Sequence, residues 1–303
     1  MKKIIYRSFI VILFILIVSV IYLSTFGIET TRFNSQISNY AKNIKNGLDV
    51  DLKKIKIFLN LTNLSLSVKT VGTKIKYKKK IIETNSIKTH ISLNSLIKKE
   101  FLLKNLEVST KSLEINNLIS FVRTFQKTPE LFLLERFVKN GYLIADIKLD
   151  FDSNGKIKKN YEIKGFVKDV KLGAISQFDL KKLNFSFNYK KNNLVFNDAS
   201  FLFNDLNFFS KNIDVTKQKN EFLVSGNIEN KKIDLSQNSL DLFKKYFFSD
   251  FGIQKIKFTS KNDFTFIFNK KLDFKNLKID SKVSIDELEF LNQPELKKFF
   301  PQI

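Results

Sequence analysis

The hydrophobic pattern of the chain opens with one long apolar segment. No charged residue occurs from Ser8 to Ile28, and between Phe9 and Leu23 only Ser19 is polar. A helix rises 1.5 Å per residue, so about 20 apolar residues span the ~30 Å hydrocarbon core of a bilayer. The segment therefore predicts a transmembrane helix over residues 8–28, with the anchor residues Phe9, Ile12, Leu16, Val20 and Leu23.

The charges that flank this segment predict its orientation. Lys2, Lys3 and Arg7 precede it, and Glu29 is the first charge after it. The excess of basic residues on the cytoplasmic side of membrane helices places the N-terminus in the cytoplasm and the remainder outside. A cleaved signal peptide is the alternative. The sequence after Leu23 lacks the small-x-small cleavage pattern, which favours a retained anchor.

The period of the pattern then changes twice. Residues 32–46 repeat apolar positions three and four apart, which predicts an amphipathic helix capped by Gly47. Beyond it, apolar and polar residues alternate, as in strands with one buried face. Such strands recur every 8–12 residues without long helical inserts, which favours antiparallel meander pairing. The clearest is Leu183–Tyr189. Others include residues 48–52, 55–61, 64–68, 87–93, 143–151 and 222–228, and the short segments 256–258, 264–268, 277–279 and 283–285.

Short helical patterns interrupt the strands. One covers Asn117–Gln126, and a second opens at Pro129 and ends at Asn140-Gly141. A third is predicted over Leu235–Phe247, and a terminal helical turn over residues 293–303. The predicted divisions are residues 1–28 for the anchor, 29–128 for a first helix and sheet, and 129–303 for further strands with short helices.

The strand count decides the fold class, because an apolar sheet face must be covered. A few short helices cannot cover a dozen or more strands. The sequence therefore predicts a mainly β fold: a transmembrane helix followed by an elongated, curled antiparallel sheet that forms a half-open groove. A closed β-sandwich or roll is the alternative. The Phe-rich face supplies the candidate lipid-groove residues Phe185, Phe187, Phe196, Phe203, Val224, Phe264 and Phe266.

Composition adds less than the pattern does. Lys and Arg number 52 against 30 Asp and Glu, a formal charge of +22, and there are 33 Phe. Codons rich in adenine and thymine would produce both the Lys and the Phe without selection on function. Lys is spread along the chain and Arg is scarce, which is unlike a nucleic-acid interface. No nucleic-acid partner is expected, whereas basic loops can attract anionic headgroups.

The residue types that carry catalysis are scarce. The chain has no Cys and a single His, His90, which excludes thiolate zinc sites, Cys nucleophiles and multi-His metal sites. His90 is expected on the polar face of a strand. Asp146, Asp150 and Asp152 alternate along another strand, where solvated charge is expected. No phosphate loop or nucleophile elbow occurs, so we expect no enzyme activity, cofactor or metal.

The order of these segments resembles the N-terminus of AsmA-like proteins of Gram-negative envelopes. The resemblance rests on the Lys-flanked anchor, the helix ending at Gly47, the strand pair from Val50 to Val68, and Ser92–Ile115, with its Leu96-Ile97 connection. Gly141–Leu172 is similar to the repeated hairpins of that superfamily, which includes the TamB and YhdP types. Membership would imply an inner-membrane anchor, a periplasmic β-groove, and a role in phospholipid transport or outer-membrane assembly.

The sequence is therefore consistent with two predicted functions. The first is an inner-membrane-anchored periplasmic β-groove that binds phospholipid or another acyl lipid and contributes to phospholipid transport or outer-membrane homeostasis. The second is an envelope scaffold or assembly factor that binds protein partners, without lipid, by strand addition at its sheet edges.

Overall fold

A computed structural model of the chain describes most of its residues. They are residues 2–32, 34–44, 47–62, 64–92, 103–125, 129–152, 158–175, 178–219, 221–236, 253–269 and 273–290, with Leu240 and Lys298. Four helices lie in this part: α1 (Lys2–Thr25), α2 (Asn34–Ile44), α3 (Ile115–Phe125) and α4 (Pro129–Phe137).

Sixteen strands make up the rest of the described secondary structure. They are β1 (Ile28–Thr30), β2 (Leu48–Asp51), β3 (Lys54–Asn60), β4 (Ser65–Val71), β5 (Lys74–Tyr77), β6 (Lys80–Ser92), β7 (Leu103–Thr110), β8 (Leu113–Glu114), β9 (Val138–Asp150), β10 (Glu162–Ile175), β11 (Phe178–Lys190), β12 (Asn193–Phe203), β13 (Leu206–Gln218), β14 (Glu221–Ser236), β15 (Ile253–Asn269) and β16 (Phe274–Phe290).

The strands form one open sheet that does not close on itself. Its order is β1-β3-β4-β6-β7-β9-β10-β11-β12-β13-β14-β15-β16, while β2 pairs with β5, β5 also pairs with β6, and β8 pairs with β9. Successive strands pair antiparallel, for example β12 with β13 and β15 with β16. The predicted fold class is confirmed: a mainly β chain with short helices and an apolar N-terminal helix, and the sheet is open, not a closed roll.

By its internal contacts the chain divides into two compact units. Unit 1 is Met1–Val167 with Asn188–Lys191, and unit 2 is Lys168–Phe187 with Asn192–Ile303.

In unit 1, a helix packs on the sheet. The apolar face of the sheet includes the row Ile57, Val68, Thr89, Leu106 and Leu149, in which each residue lies directly opposite the next across neighbouring strands. The amphipathic helix α3 packs against β6 and β9. The buried apolar residues of this unit include Leu52, Ile55, Tyr77, Ile82, Ile119, Val138 and Ala145.

In unit 2, β-bulges keep the apolar side chains on one face. Along β15, every second residue from Ile256 to Phe268 lies on the same side, because the strand alternates without interruption. Its partner β14 shifts register between Asn230 and Ile233, where Lys232 has a φ of 54°. A bulge inserts one residue and so reverses the alternation beyond it. Val224 and Ile233, which differ in parity, thus face the same way.

Several predicted boundaries differ from the observed ones. The first amphipathic helix is described as α2 from Asn34 to Ile44; Arg32 lies in a turn before it, and residues 33, 45 and 46 lie outside the described residues. The second short helix ends at Phe137. Val138, which was predicted to belong to that helix, is the first residue of β9. Leu235 is not helical: it lies in β14, where it is buried against Ile233.

Other predictions fall outside the described residues. These are the Leu96-Ile97 connection, residues 237–239 and 241–247 of the predicted third helix, and residues 293–297 and 299–303 of the predicted terminal turn. A tight turn joins β11 to β12, with Lys191 and Asn192 both at positive φ.

Candidate functional site

The first candidate feature is α1, a helix long and apolar enough to cross a membrane. Residues 3–25 are long and apolar enough to span a bilayer, and no residue of this span is buried against the rest of the protein. The side chains of Phe9, Ile12 and Leu16 are exposed, while Val20 and Leu23 are half-buried. Ser24 and Thr25 donate their hydroxyl protons to the carbonyls of Val20 and Ile21, at 2.8 and 2.7 Å. These bonds satisfy the polar side chains within the helix itself, which suits an apolar environment.

A very short connection joins α1 to the sheet of unit 1. β1 begins at Ile28, three residues after α1 ends, and pairs with β3. Gly27 is buried at a φ of +68°, and a Cβ at this position would lie 2.6 Å from the Ile57 carbonyl oxygen. The tight packing fixes the end of α1 against the edge of this sheet.

The second candidate feature is an aromatic patch on the apolar face of unit 2. Its residues share one face because they lie directly opposite one another across the strands. Phe196, Ile213, Gly226 and Phe264 form one such row. We define the aromatic patch as Phe185, Phe187, Leu194, Phe196, Ile213, Val215, Phe222, Val224, Phe264, Phe266, Phe268 and Phe274.

Ring contacts hold the patch together across strands. Phe185 meets Phe196 edge-on at a centroid distance of 5.1 Å and Phe187 at 6.3 Å. Farther along the sheet, Phe266 lies 6.0 Å from Phe264 and 5.6 Å from Phe274. Edge-on and offset stacked pairs at these distances contribute about 0.5–1.5 kcal/mol each beyond the area that they bury. The patch is therefore an organised surface of rings.

The patch remains partly open to solvent. Val224 is buried, with 6% of its surface exposed, but Phe185, Phe187, Phe196, Phe264 and Phe266 are only half-buried. Among the described residues of unit 2, helical conformation occurs only at Leu240 and Lys298. Leu240 packs against Ile233 and Leu235, away from the patch. No described helix of this unit covers the patch.

The structure separates one predicted groove residue from the other six. Phe203 meets the ring of Phe208 edge-on, and Phe208 packs against the buried cluster of Ile233, Leu235 and Leu240. Between this cluster and the aromatic patch lies a buried polar pair, Asn230 and Ser260, directly opposite each other. The Asn230 amide donates to the Phe258 carbonyl at 3.0 Å and accepts from the Ser260 N–H at 2.9 Å. Phe203 belongs to a second apolar cluster on the same face.

The opposite face of unit 2 is mostly polar, with a few apolar residues such as Leu223 opposite Ile267. One row across its strands is Asp214, Ser225, Thr265 and Lys278, and the next includes Asp263 and Asp280. Within the part of the chain that the structure describes, no group of three or more His, Asp or Glu is placed to hold a metal ion. The two faces thus differ sharply in character.

The edge strand β16 carries apolar residues that the sequence-based site omits. Phe274, Leu277, Ile279, Val283 and Ile285 are 54–68% exposed. Ile279 lies directly opposite Phe264, so the apolar face continues onto this strand. The alternation of 277–285 was visible in the sequence. Its position at the edge of the sheet was not, because edge and interior strands share the same pattern.

His90 takes a structural place on the polar face of unit 1. Its Nδ1 lies 2.7 Å from the Ser67 hydroxyl, and its backbone N–H donates to the Asn105 side-chain oxygen. Desolvation and the nearby charge of Lys88 lower the pKa of the imidazole. Asp146 accepts a hydrogen bond from Ser109 at 2.6 Å on an exposed part of the same sheet.

No family model, curated protein or solved structure matches this chain. The resemblance to AsmA-like proteins stays a prediction.

Proposed function

We propose that this chain is a single-pass membrane protein whose aromatic patch binds the acyl chains of phospholipid. In this proposal the strands lie in the periplasm, α1 anchors them in the inner membrane, and the protein contributes to phospholipid transport or outer-membrane assembly. The observation that carries the proposal is the half-exposed aromatic patch on an open sheet, in a chain whose first helix is apolar and exposed over most of its length.

The chemistry of the patch suits an acyl chain. Its members are Phe, Leu, Ile and Val, and the central rows between Phe196 and Phe266 carry no charge. Each methylene removed from water contributes ~0.8 kcal/mol. About ten methylenes would contribute on the order of 8 kcal/mol before the cost of ordering the chain. A sugar or nucleotide would gain little from such a surface, because it offers few polar partners.

Two further features support lipid over other apolar ligands. Lys217 lies opposite Phe222 and is exposed at the margin of the patch, where it can attract an anionic headgroup. The anchor also keeps the strands beside a bilayer, which is itself the source of acyl chains. The AsmA-like order of segments agrees with this role, and the basic residues before α1 favour the periplasmic orientation.

Photo-crosslinking tests the contact with lipid directly. Benzoylphenylalanine replaces Phe266 on the patch with another aromatic residue, which limits the risk of unfolding. The matched control places it at Thr265, the next residue on β15, whose side chain points to the polar face. The full chain is produced in envelopes labelled with radioactive acyl lipid, irradiated and purified. We expect labelled lipid on the Phe266 variant and at least tenfold less on the Thr265 variant.

Equal labelling at the two positions, or none at either, would overturn the lipid proposal. A protein adduct at position 266 without lipid would instead favour a scaffold that binds protein partners. The same preparation tests the compartment. A single cysteine at Thr265 should react with a membrane-impermeant maleimide in spheroplasts, and protection until lysis would reverse the orientation.

A further inference from the structure

The outer edge of β16 lacks a partner among the described residues. β16 is the last strand of the sheet, runs for 17 residues and pairs on its other side with β15. Its side chains are exposed from Phe274 through Asp286. A long exposed edge presents a row of free N–H and C=O groups and is a template for another strand. Something of matching length and pattern is expected there.

The apolar and polar pattern of β16 is symmetric about Ser281. Its register with β15 shifts at three places, one of which leaves Gln254 of β15 without an opposite residue. The other two insert an extra residue into β16, one at Asn276, which has a φ of 55°, and one at Asp286, which has no residue opposite it on β15. These two bulges lie five residues before and five residues after Ser281. Each bulge moves the apolar side chains from one parity to the other. Both ends therefore present apolar residues to the same face as the middle.

We propose that β16 pairs antiparallel with β16 of a second copy of this chain, about a two-fold axis at Ser281. In this register Phe274 meets Leu288, Leu277 meets Ile285, and Ile279 meets Val283, so each apolar residue faces an apolar partner. The paired residue numbers differ by an even number. Residues whose N–H groups point outward therefore meet one another, as an antiparallel ladder requires.

Charge complementarity selects this occupant. Lys275 would lie opposite Glu287, and Asp280 opposite Lys282, each pair occurring twice by symmetry. Between residues 274 and 288, no two like charges would face each other. The same matching is not expected of an unrelated strand. Opposite charges across two strands contribute to pairing, whereas like charges directly opposite are destabilising.

The single chain contains the conflict that a second copy would relieve. Asp263 on β15 lies directly opposite Asp280 on β16, and Lys261 lies directly opposite Lys282. Two adjacent like-charge pairs weaken the ladder between β15 and β16. In the dimer, Lys282 of the second copy would flank Asp280 on its outer side, and Asp280 of the second copy would flank Lys282. At Asp280 and Lys282, the second copy would thus supply an opposite charge, whereas β15 supplies a like charge.

This inference is independent of lipid binding. The pairing uses the edge of the sheet, whereas acyl chains would use its face. Loss of dimerisation would leave the Phe266 crosslink to lipid intact, and absence of that crosslink would leave the dimer intact.

Disulfide trapping tests the axis, because the chain contains no cysteine of its own. Ser281→Cys places two thiols opposite each other, with Cα atoms about 4.5–5.5 Å apart, which is within disulfide range. The control Ser284→Cys faces Lys278 of the second copy, which leaves the two thiols about 20 Å apart. Under mild oxidation of the full chain in detergent, we expect a covalent dimer from Ser281→Cys and at least tenfold less from Ser284→Cys.

Equal trapping at 281 and 284 would overturn this register. No trapping at either position, with a monomer by analytical ultracentrifugation, would overturn the dimer. Trapping of Ser281→Cys to a different protein would show that another chain occupies the edge.

Charge reversal separates association from folding. Asp280→Lys places lysine opposite Lys282 of the second copy at two symmetric positions, and we expect the dimer dissociation constant to rise about tenfold. Within one chain the same change removes the repulsion with Asp263, so the melting temperature should not fall. Asp280→Lys combined with Lys282→Asp exchanges the charges and should restore the dimer. Failure of the double variant to recover would contradict the pairing.

Discussion

The two units use the same strand pattern but treat their apolar faces differently. In unit 1 the amphipathic helix α3 packs on the sheet, and Ile119 and Val138 are almost fully buried. In unit 2 the aromatic patch remains half-exposed, and no helix covers it in the part that the structure describes. Alternation in a sequence thus identifies which face of a strand is apolar. It does not say whether protein, lipid or a second chain covers that face.

The strands of the two units also differ in length. Those from β12 to β16 in unit 2 have 11–17 residues, whereas among β1 to β9 in unit 1 only β6 and β9 have more than 10. A long strand twists and drifts out of register with its neighbours, and bulges at Lys232 and Asn276 correct the alternation. The bulges keep the apolar side chains of these long strands on one face of the sheet.

Truncating a buried residue in unit 1 should have the largest effect on stability. Ile119 on α3 is 7% exposed, so Ile119→Ala leaves a cavity and should cost about 2–5 kcal/mol. Leu277 on β16 is 63% exposed, and Leu277→Ala should cost less than about 0.5 kcal/mol. Urea unfolding of the full chain in mild detergent measures the two losses of unfolding free energy. Both substitutions are made in the Asp280→Lys variant, so that association between copies does not contribute.

Hydrogen exchange would locate the loss caused by Ile119→Ala among the amides of β6 and β9, which α3 contacts. Similar costs for the two substitutions would mean that the apolar face of unit 2 is as well covered as that of unit 1. The comparison between the units would then fail.

A smaller effect should come from the tight backbone of unit 2. Gly226 lies on the apolar face, and a Cβ there would lie 2.7 Å from the Asn212 carbonyl oxygen and 3.0 Å from the Cα of Ile213. Because these are backbone atoms, β13 and β14 must move apart, and Gly226→Ala should cost about 1–3 kcal/mol. Ser225→Ala, the adjacent change on the polar face, is the control.

If Gly226→Ala were neutral in the same unfolding assay, the two strands would be less closely packed than the structure shows. The expected loss would instead establish that unit 2 is open on its face yet close-packed within its sheet.

Much of the fold could be predicted from periodicity, and the failures have physical causes. The apolar α1, the helix near residue 117 and the strand through 183–189 are all present. Val138 was predicted to be helical because its spacing from Leu134 fits a helix. In the structure it begins β9, where its side chain is buried. Phe203 was grouped with Phe196 because alternation alone cannot reveal Asn230 and Ser260, the polar pair that divides the face.

The candidate site could be predicted only in part, for the same reason. Six of the seven predicted groove residues lie on one patch, since register follows from alternation. Phe268 and Phe274 complete the patch but depend on which strands are neighbours, which is a non-local property. The edge position of β16, and with it the symmetric pairing about Ser281, depends on sheet order and could not be predicted from local pattern.

The smallest effect expected is on pH dependence, and it too distinguishes the units. His90 in unit 1 is the only histidine, and burial and Lys88 hold its pKa below the ordinary value of 6.5. The unfolded chain then binds the proton more readily than the folded one. Stability from this group is fully present above pH 6.5 and is lost as pH falls toward the folded-state pKa.

Titration of the single imidazole signal by NMR should give a pKa below 6.5, and His90→Gln should remove the pH dependence of unfolding between pH 7.5 and 6. A value at or above 6.5 would mean that His90 is solvated, and unit 1 would then be less closely packed around β6 than its contacts with Ser67 and Asn105 indicate.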